Sequence, residues 1–269
     1  MPVFALRPYA ALAGAGFARY TAYRGAMLGG AVTNAVFGLM RASVLVAAIR
    51  SRGGPVGGYD AEAAITFAWV SQALIAVVEV FTWNELAQRV RSGDVAVDLA
   101  RPLDLQLGLA AADLGRAAAV VLPRAVPILL AGALTLGLAL PADPRAWALG
   151  LVAVVLATLL SFAGRFVVNL LAFWLLDVRG LIASYVLVST LFSGLVVPVR
   201  WFPAPVAAVA AATPFPSMVQ TPADLLTGHL GGSAALAAVG VQVAWLVGIG
   251  GLGRLVLGAA HRRLVVQGG

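Results

Sequence analysis

The chain has 269 residues, 61% of them hydrophobic and 11% charged, with a mean hydropathy of +0.96; soluble domains carry roughly 25% charged residues, so a water-soluble fold is excluded. The net charge of +7 fits basic loops held against anionic lipid and not a nucleic-acid footprint. Cysteine and lysine are both absent, which removes disulfides, thiolate nucleophiles, the lysine of a phosphate-binding P-loop and a lysine Schiff base.

The first 25 residues set Phe4, Tyr9, Phe17, Tyr20 and Tyr23 among Arg7, Arg19 and Arg24. That mixture predicts an interfacial helix on the membrane surface, with a frayed terminus as the alternative; the arginines that follow the AALAGAG stretch argue against a cleaved signal peptide. Six apolar runs come next, at 26–49, 61–83, 117–140, 147–176, 181–199 and 234–259. Each is close to the about 20 residues that cross a bilayer. The fold class expected is therefore all-α: one polytopic domain over residues 1–269 with six transmembrane helices and an N-terminal interfacial helix.

Two connections are long. Segment 84–116 carries charges of both signs around a helix stop at Ser92-Gly93 and a second break at Pro102, a composition suited to short helices in water. Segment 200–233 holds Pro203, Pro205, Pro214, Pro216 and Pro222 around an apolar stretch too short and broken to span. It predicts short shallow or re-entrant helices between helices 5 and 6. Arg7, Arg19, Arg24, Arg89, Arg91, Arg101, Arg116, Arg179, Arg254, Arg262 and Arg263 fall on one side of this layout, and Arg50, Arg52, Arg145 and Arg200 on the other. The imbalance predicts cytoplasmic termini.

Several motifs fail on context. Gly248, Gly250 and Gly253 spell a nucleotide-binding glycine pattern, but inside an apolar span with no preceding strand they read as close helix packing. Ser193-Gly194 lacks a histidine at matching depth for a serine protease. His229 and His261 lie on opposite predicted sides and cannot share a metal.

Polar groups inside the spans are more telling, because a charge there must face protein or water; Arg41, Glu79 and Arg165 are the cases. Trp69, Gln72, Glu79 and Trp83 share a face of helix 2, and Tyr185, Ser189 and Ser193 recur every four residues on helix 5. Both faces are candidates for a translocation path. The alternative is structural: Glu79 and Arg165, both in the inner half, form a candidate buried pair, and hydroxyls bond within their own helix.

The strings RSGDVAVDLARPLD (91–104), SGLVVPVRWFP (193–203), TPFPSMVQTPADLLTG (213–228) and RRLVVQGG (262–269) together resemble bacterial type-2 ATP-binding-cassette (ABC) permeases, in a six-helix exporter branch, over nearly the whole chain. The resemblance implies a transport subunit and not an enzyme, with ATP and Mg bound by a separate ATP-binding subunit and no cofactor on this chain. A second permease subunit, as a copy or a paralogue, and membrane lipid complete the partners. The implied location is the bacterial plasma membrane, and the implied cargo an amphipathic or hydrophobic solute moved outward. It further implies that Glu85 to Asp104 docks on the ATPase and relays its closure into helices 2 and 5. Arg89, Arg91, Asp94, Asp98, Arg101 and Asp104 supply both signs for such a contact, with Gly93 at the turn; a plain solvated loop is the alternative. A secondary transporter would want a deep coupling carboxylate, and only Glu79, near an inner end, is available. A lipid enzyme would need a converging acid, base and nucleophile, which is not seen.

Overall fold

The computed structural model describes residues 6–22, 24–81, 84–175 and 177–263. Tyr23, Trp83 and the end of the terminal string, 264–269, therefore lie outside the described residues. Within them the chain is all-helical, apart from one bridge between Val56 and Tyr59. Helices α1 (Leu6–Thr21), α2 (Arg24–Arg52) and α3 (Ala61–Val78) precede two short ones, α4 (Glu85–Ser92) and α5 (Val95–Leu99). Then come α6 (Leu105–Val120), α7 (Val126–Thr135), α8 (Pro144–Leu170) and α9 (Arg179–Phe192). Short α10 (Ala204–Ala211) and α11 (Gln220–Leu226) lead to α12 (Gly232–His261).

Local chemistry sets the boundaries. Asp60, Asp104 and Asp143 stand before α3, α6 and α8, and their carboxylates accept from the amides of Ala63, Leu107 and Arg145 at 2.8, 2.8 and 2.9 Å, satisfying donors that a helix start leaves free. Between α6 and α7 the chain widens into a π-turn, Val121–Ala125, at Pro123; proline lacks the amide a regular turn needs and its ring crowds the preceding carbonyl. Residues 105–135 thus run as one long apolar rod.

Among the described residues five segments are long and apolar enough to cross a membrane: Gly29–Arg52, Ala61–Val78, Leu105–Thr135, Pro144–Phe173 and Gly232–His261. The sixth expected span, 181–199, is helical only as α9, 14 residues ending at Phe192, or about 21 Å against a hydrocarbon core of about 30 Å. Gly194 follows with φ of 84°, a turn that a continuous helix cannot contain. The second span likewise stops short of residue 83: Glu79 sits at φ 54° and closes α3 with its amide on Ile75 O.

Helix α3 is the axis of the bundle, with 72% of its residues buried against 11% in the apolar stretch of α12. Its Trp69 fits a notch cut by two glycines: a Cβ on Gly38 or Gly132 would come within 2.8 or 2.5 Å of the indole. Helix α1 packs on α6 at backbone contact, since a Cβ on Gly115 would stand 1.8 Å from Ala13 O and one on Gly16 2.1 Å from Ala112 O. Of the glycine pattern in α12, Gly250 and Gly253 face neighbouring side chains, while a Cβ on Gly248 would meet nothing within 4 Å. Gly250 O accepts from Gln106 Nε2 at 3.0 Å, and Gly253 lies under Gln106 and Phe166.

Candidate functional site

At one end of the bundle, α4 and α5 form a compact pair. Asn84 gives α4 no side-chain cap, and the amide of Ala87 is met instead by Asn169 Oδ1 of α8 at 3.1 Å. Leu86 and Val95 are buried beside Phe162, Phe166 and Leu170. Gly93, at φ 83°, makes the turn.

The eight charged or glycine positions expected to couple to an ATPase divide into two sets. Glu85 accepts from Arg19 Nη1 at 3.2 Å, Asp98 from Arg89 Nη2 at 2.6 Å, and Asp104 pairs with Arg254 while capping α6. These hold the pair to α1, to itself and to α12. Arg91, Gly93, Asp94 and Arg101 are exposed, together with Val97. Arg101 lies 3.8 Å from Asp98 with its side chain 59% exposed, so its charge remains largely available to water.

Just above this pair lie four charges. Arg116 donates to Asp113 Oδ1 at 2.6 Å and to the carbonyls of Ala76 and Val77 at 2.8 and 3.0 Å, and pairs with Glu79 at 3.3 Å. Arg165 bonds Asp113 Oδ2 at 3.0 Å. The expected Glu79–Arg165 pair is thereby corrected: Asp113 takes Arg165, Arg116 takes Glu79, and Asp113 joins the two arginines. The link that does run between them is neutral, for Ser161 Oγ donates to Glu79 O at 3.1 Å and accepts from Arg165 Nε at 3.3 Å. Arg116 and Arg165 are nearly enclosed, and burial of this kind demands a partner for each charge.

The candidate path residues end in different places. Trp69 is locked in its glycine notch and Glu79 belongs to the charge cluster. Ser189 and Ser193 are buried, their hydroxyls bonding Val186 O and Thr190 O of their own helix at 3.0 and 3.4 Å. Tyr185 lies edge-on to Phe215 and against Gly164. Gln72 lines a cavity of about 290 Å3 between α2, α3 and α9. Arg41 lines it too, donating to Gln72 Oε1 at 3.0 Å and Ser71 Oγ at 3.1 Å. No carboxylate of the described residues stands within ion-pair reach of Arg41. It lies 11 residues before the end of α2, about 16 Å along the axis, at a depth where an arginine costs at least roughly 2.5 kcal/mol.

A second groove, of about 540 Å3, runs down the side of α9 from Thr190 to Arg179 and shares Phe81 and Thr190 with the cavity. Between Thr190 and Arg179 its walls are mostly apolar, with Ile182, Val186 and Leu187, and Asn84 and Arg179 add polar groups. Period-four reasoning pointed to Ser189 and missed Thr190 beside it.

At the opposite end, loop 53–60 is tied to the α9–α12 connection by a polar knot absent from the sequence reading. The Tyr59 hydroxyl donates to Asp224 Oδ1, and Gln220 Nε2 donates to both, at 2.8 Å to Tyr59 and 2.9 Å to Asp224. Gln220 Oε1 accepts from Val199 N at 2.8 Å, and Arg200 Nε reaches Asp224 Oδ2 at 3.3 Å. His229 stacks on Tyr59 with centroids 4.2 Å apart and planes within 6°. Burial, with Asp224 adding to it, raises the Tyr59 phenol above its ordinary value. Burial lowers the His229 imidazole, Arg200 in the same direction and Asp224 and Asp60 against it.

No group of three or more histidine, cysteine, aspartate or glutamate side chains that could hold a metal occurs among the described residues. No curated protein and no solved structure gives a significant match to the chain. The sequence model of the ABC-2 family transporter proteins, by contrast, matches residues 37–268, from the middle of α2 through α12 and past it. With several membrane-length helices and a match over most of its length, the chain is a multi-pass membrane protein that belongs to the ABC-2 family of transporter proteins, in a permease role.

Proposed function

We propose that this chain is the membrane-spanning subunit of an ATP-driven exporter of the bacterial plasma membrane, a single domain that moves an amphipathic or hydrophobic solute outward. ATP and Mg are held by a partner ATP-binding subunit, and a second permease subunit, a copy or a paralogue, completes the pathway. The α4–α5 end and both termini face the cytoplasm, in keeping with the arginine excess on that side.

The observation that carries this reading is the division of labour in α4 and α5. One face is pinned to α8, while Arg91, Val97 and Arg101 point away from the rest of the chain. Charged and apolar side chains presented together on an anchored element suit a polar docking contact. The two carboxylates at the inner ends of the spans, Glu79 and Asp113, are held by arginines, which argues against their serving as the coupling group of a proton-driven carrier.

Reversing Arg91 and Arg101 to glutamate tests this. Like charges across a contact cost several kcal/mol, so the ATPase should no longer co-purify and export should stop, with the yield of the membrane subunit unchanged because both side chains lie outside the packed core. Arg89→Glu should instead lower yield by breaking the bond to Asp98. Export at the original rate in the Arg91/Arg101 variant would overturn the proposal in favour of an ATPase-independent carrier.

A further inference from the structure

The cavity around Arg41 has an unusual balance of hydrogen-bonding groups. Three of its lining residues each carry one polar atom that is enclosed by protein and has no hydrogen-bond partner among the described residues: Asn34 Nδ2, Arg41 Nε and Thr190 Oγ1. The first two can only donate and the third carries a hydroxyl proton, so all three ask for an acceptor. Arg41 adds a positive charge without a carboxylate, and its only bonds, to the neutral side chains of Gln72 and Ser71, aim the guanidinium without cancelling it. Buried donors and charges are normally matched. Here the missing partner is an anion.

The surroundings define the rest of the ligand. Phe37 and Phe81 flank the donors, and Phe81 and Thr190 continue into the apolar groove along α9, which extends 11 residues from Thr190 to Arg179, about 16 Å. A polar acidic head at Arg41 with a hydrocarbon chain laid down α9 satisfies both parts. We propose that this site binds an anionic amphiphile, its phosphate, carboxylate or sulfate group received by Asn34, Arg41 and Thr190. The assignment rests on the permease reading and names the class of its cargo, or of a bilayer lipid resident in the same groove.

Equilibrium binding of radiolabelled dodecyl phosphate to the purified full chain in dodecyl maltoside decides the matter, with dodecyltrimethylammonium as competitor. The wild type should bind dodecyl phosphate saturably and ignore the cation. Arg41→Gln and, independently, Thr190→Val should each weaken binding by about 10- to 100-fold, the range for losing a hydrogen bond to a charged group, whereas Arg41→Lys should keep most of it. Thermal unfolding gives the second readout. A site for an absent anion predicts that Arg41→Gln leaves the apparent Tm unchanged or raised, because an unneutralised charge has been removed. A purely structural arginine predicts a lower Tm and unchanged binding, which would overturn the proposal.

Equal binding of the cationic and anionic probes, or no saturable binding by the wild type, would also overturn it. In nanodiscs, loss of dodecyl phosphate binding in phosphatidylglycerol but not in phosphatidylcholine supports the proposal with a lipid as resident; binding retained in both supports it with a smaller solute. The Arg91/Arg101 reversal separates this from the permease reading, since it should abolish ATPase association and leave dodecyl phosphate binding intact.

Discussion

Asp113 holds the charge cluster together, and its removal should be the most damaging single change among the four. Each of its oxygens serves a different arginine, Oδ1 with Arg116 at 2.6 Å and Oδ2 with Arg165 at 3.0 Å, and the side chain is only 9% exposed. Asp113→Asn keeps the shape, removes the negative charge and turns one acceptor into a donor facing a guanidinium. Breaking a buried ion pair in this way costs about 3 to 5 kcal/mol, or about two to three and a half decades in the folded-to-unfolded ratio. Glu79→Gln should cost only about 1 kcal/mol, the scale of a partly exposed pair. Its side chain is 24% exposed, and Arg116 keeps Asp113 and the carbonyls of Ala76 and Val77. Unfolding in mixed micelles by titrated dodecyl sulfate, followed by circular dichroism, measures both. Exchanging the charges of Glu79 and Arg165 should rescue nothing, because the two do not bond. A loss for Glu79→Gln as large as that for Asp113→Asn, or recovery on the exchange, would refute the assignment of partners.

Two further outcomes follow from close contacts elsewhere. Gly115→Ala places a methyl group 1.8 Å from Ala13 O, so α1 must lift from α6 at a cost of about 1 to 3 kcal/mol; limited proteolysis should then cut within α1 while α2 to α12 remain intact, and an unchanged digestion pattern would contradict the contact. Burial lowers the His229 imidazole in the folded state, so its folded pKa lies below its unfolded value. The stability it contributes is full above the unfolded value of about 6.5 and declines as pH falls below it. Thermal unfolding between about pH 7.5 and about 5.5 should show that decline in the wild type and a flatter profile in His229→Gln; parallel profiles would exclude the histidine as the cause.

Apolar length and the placement of charges and prolines make the membrane class, a helix within the first 25 residues, the short α4–α5 pair and the short helices between α9 and α12 readable in the sequence. The misreadings share a cause: hydropathy sees a residue and not its partner. The third span was begun at 117 because Gln106, Asp113 and Arg116 look like loop residues. In the fold it starts at Leu105, since Arg116 and Asp113 neutralise each other three residues apart and Gln106 finds Gly250 O, 144 residues away. The knot of Tyr59 and Asp224 spans 165 residues, and nothing local to either loop announces it. The early end of α9 does leave a trace in the sequence, Ser193-Gly194, whose meaning is a turn.

The single hydrogen bond between Ala87 and Asn169 has a mechanical meaning. Helix α4 follows α3 in the chain, but it is not a rigid extension of it, because Glu79 breaks the backbone into the left-handed region six residues before α4 begins. A push on α4 would therefore bend the chain at that joint, while the Asn169 bond and the packing of Leu86 tie α4 to α8. There Asn169 donates to the Arg165 carbonyl at 2.8 Å, and Arg165 to Asp113 on α6. A displacement of the α4–α5 end would thus enter the bundle through its fourth span, which is tied to the third by the Arg165–Asp113 bond and to the end of α3 by the bond from Ser161 to the Glu79 carbonyl.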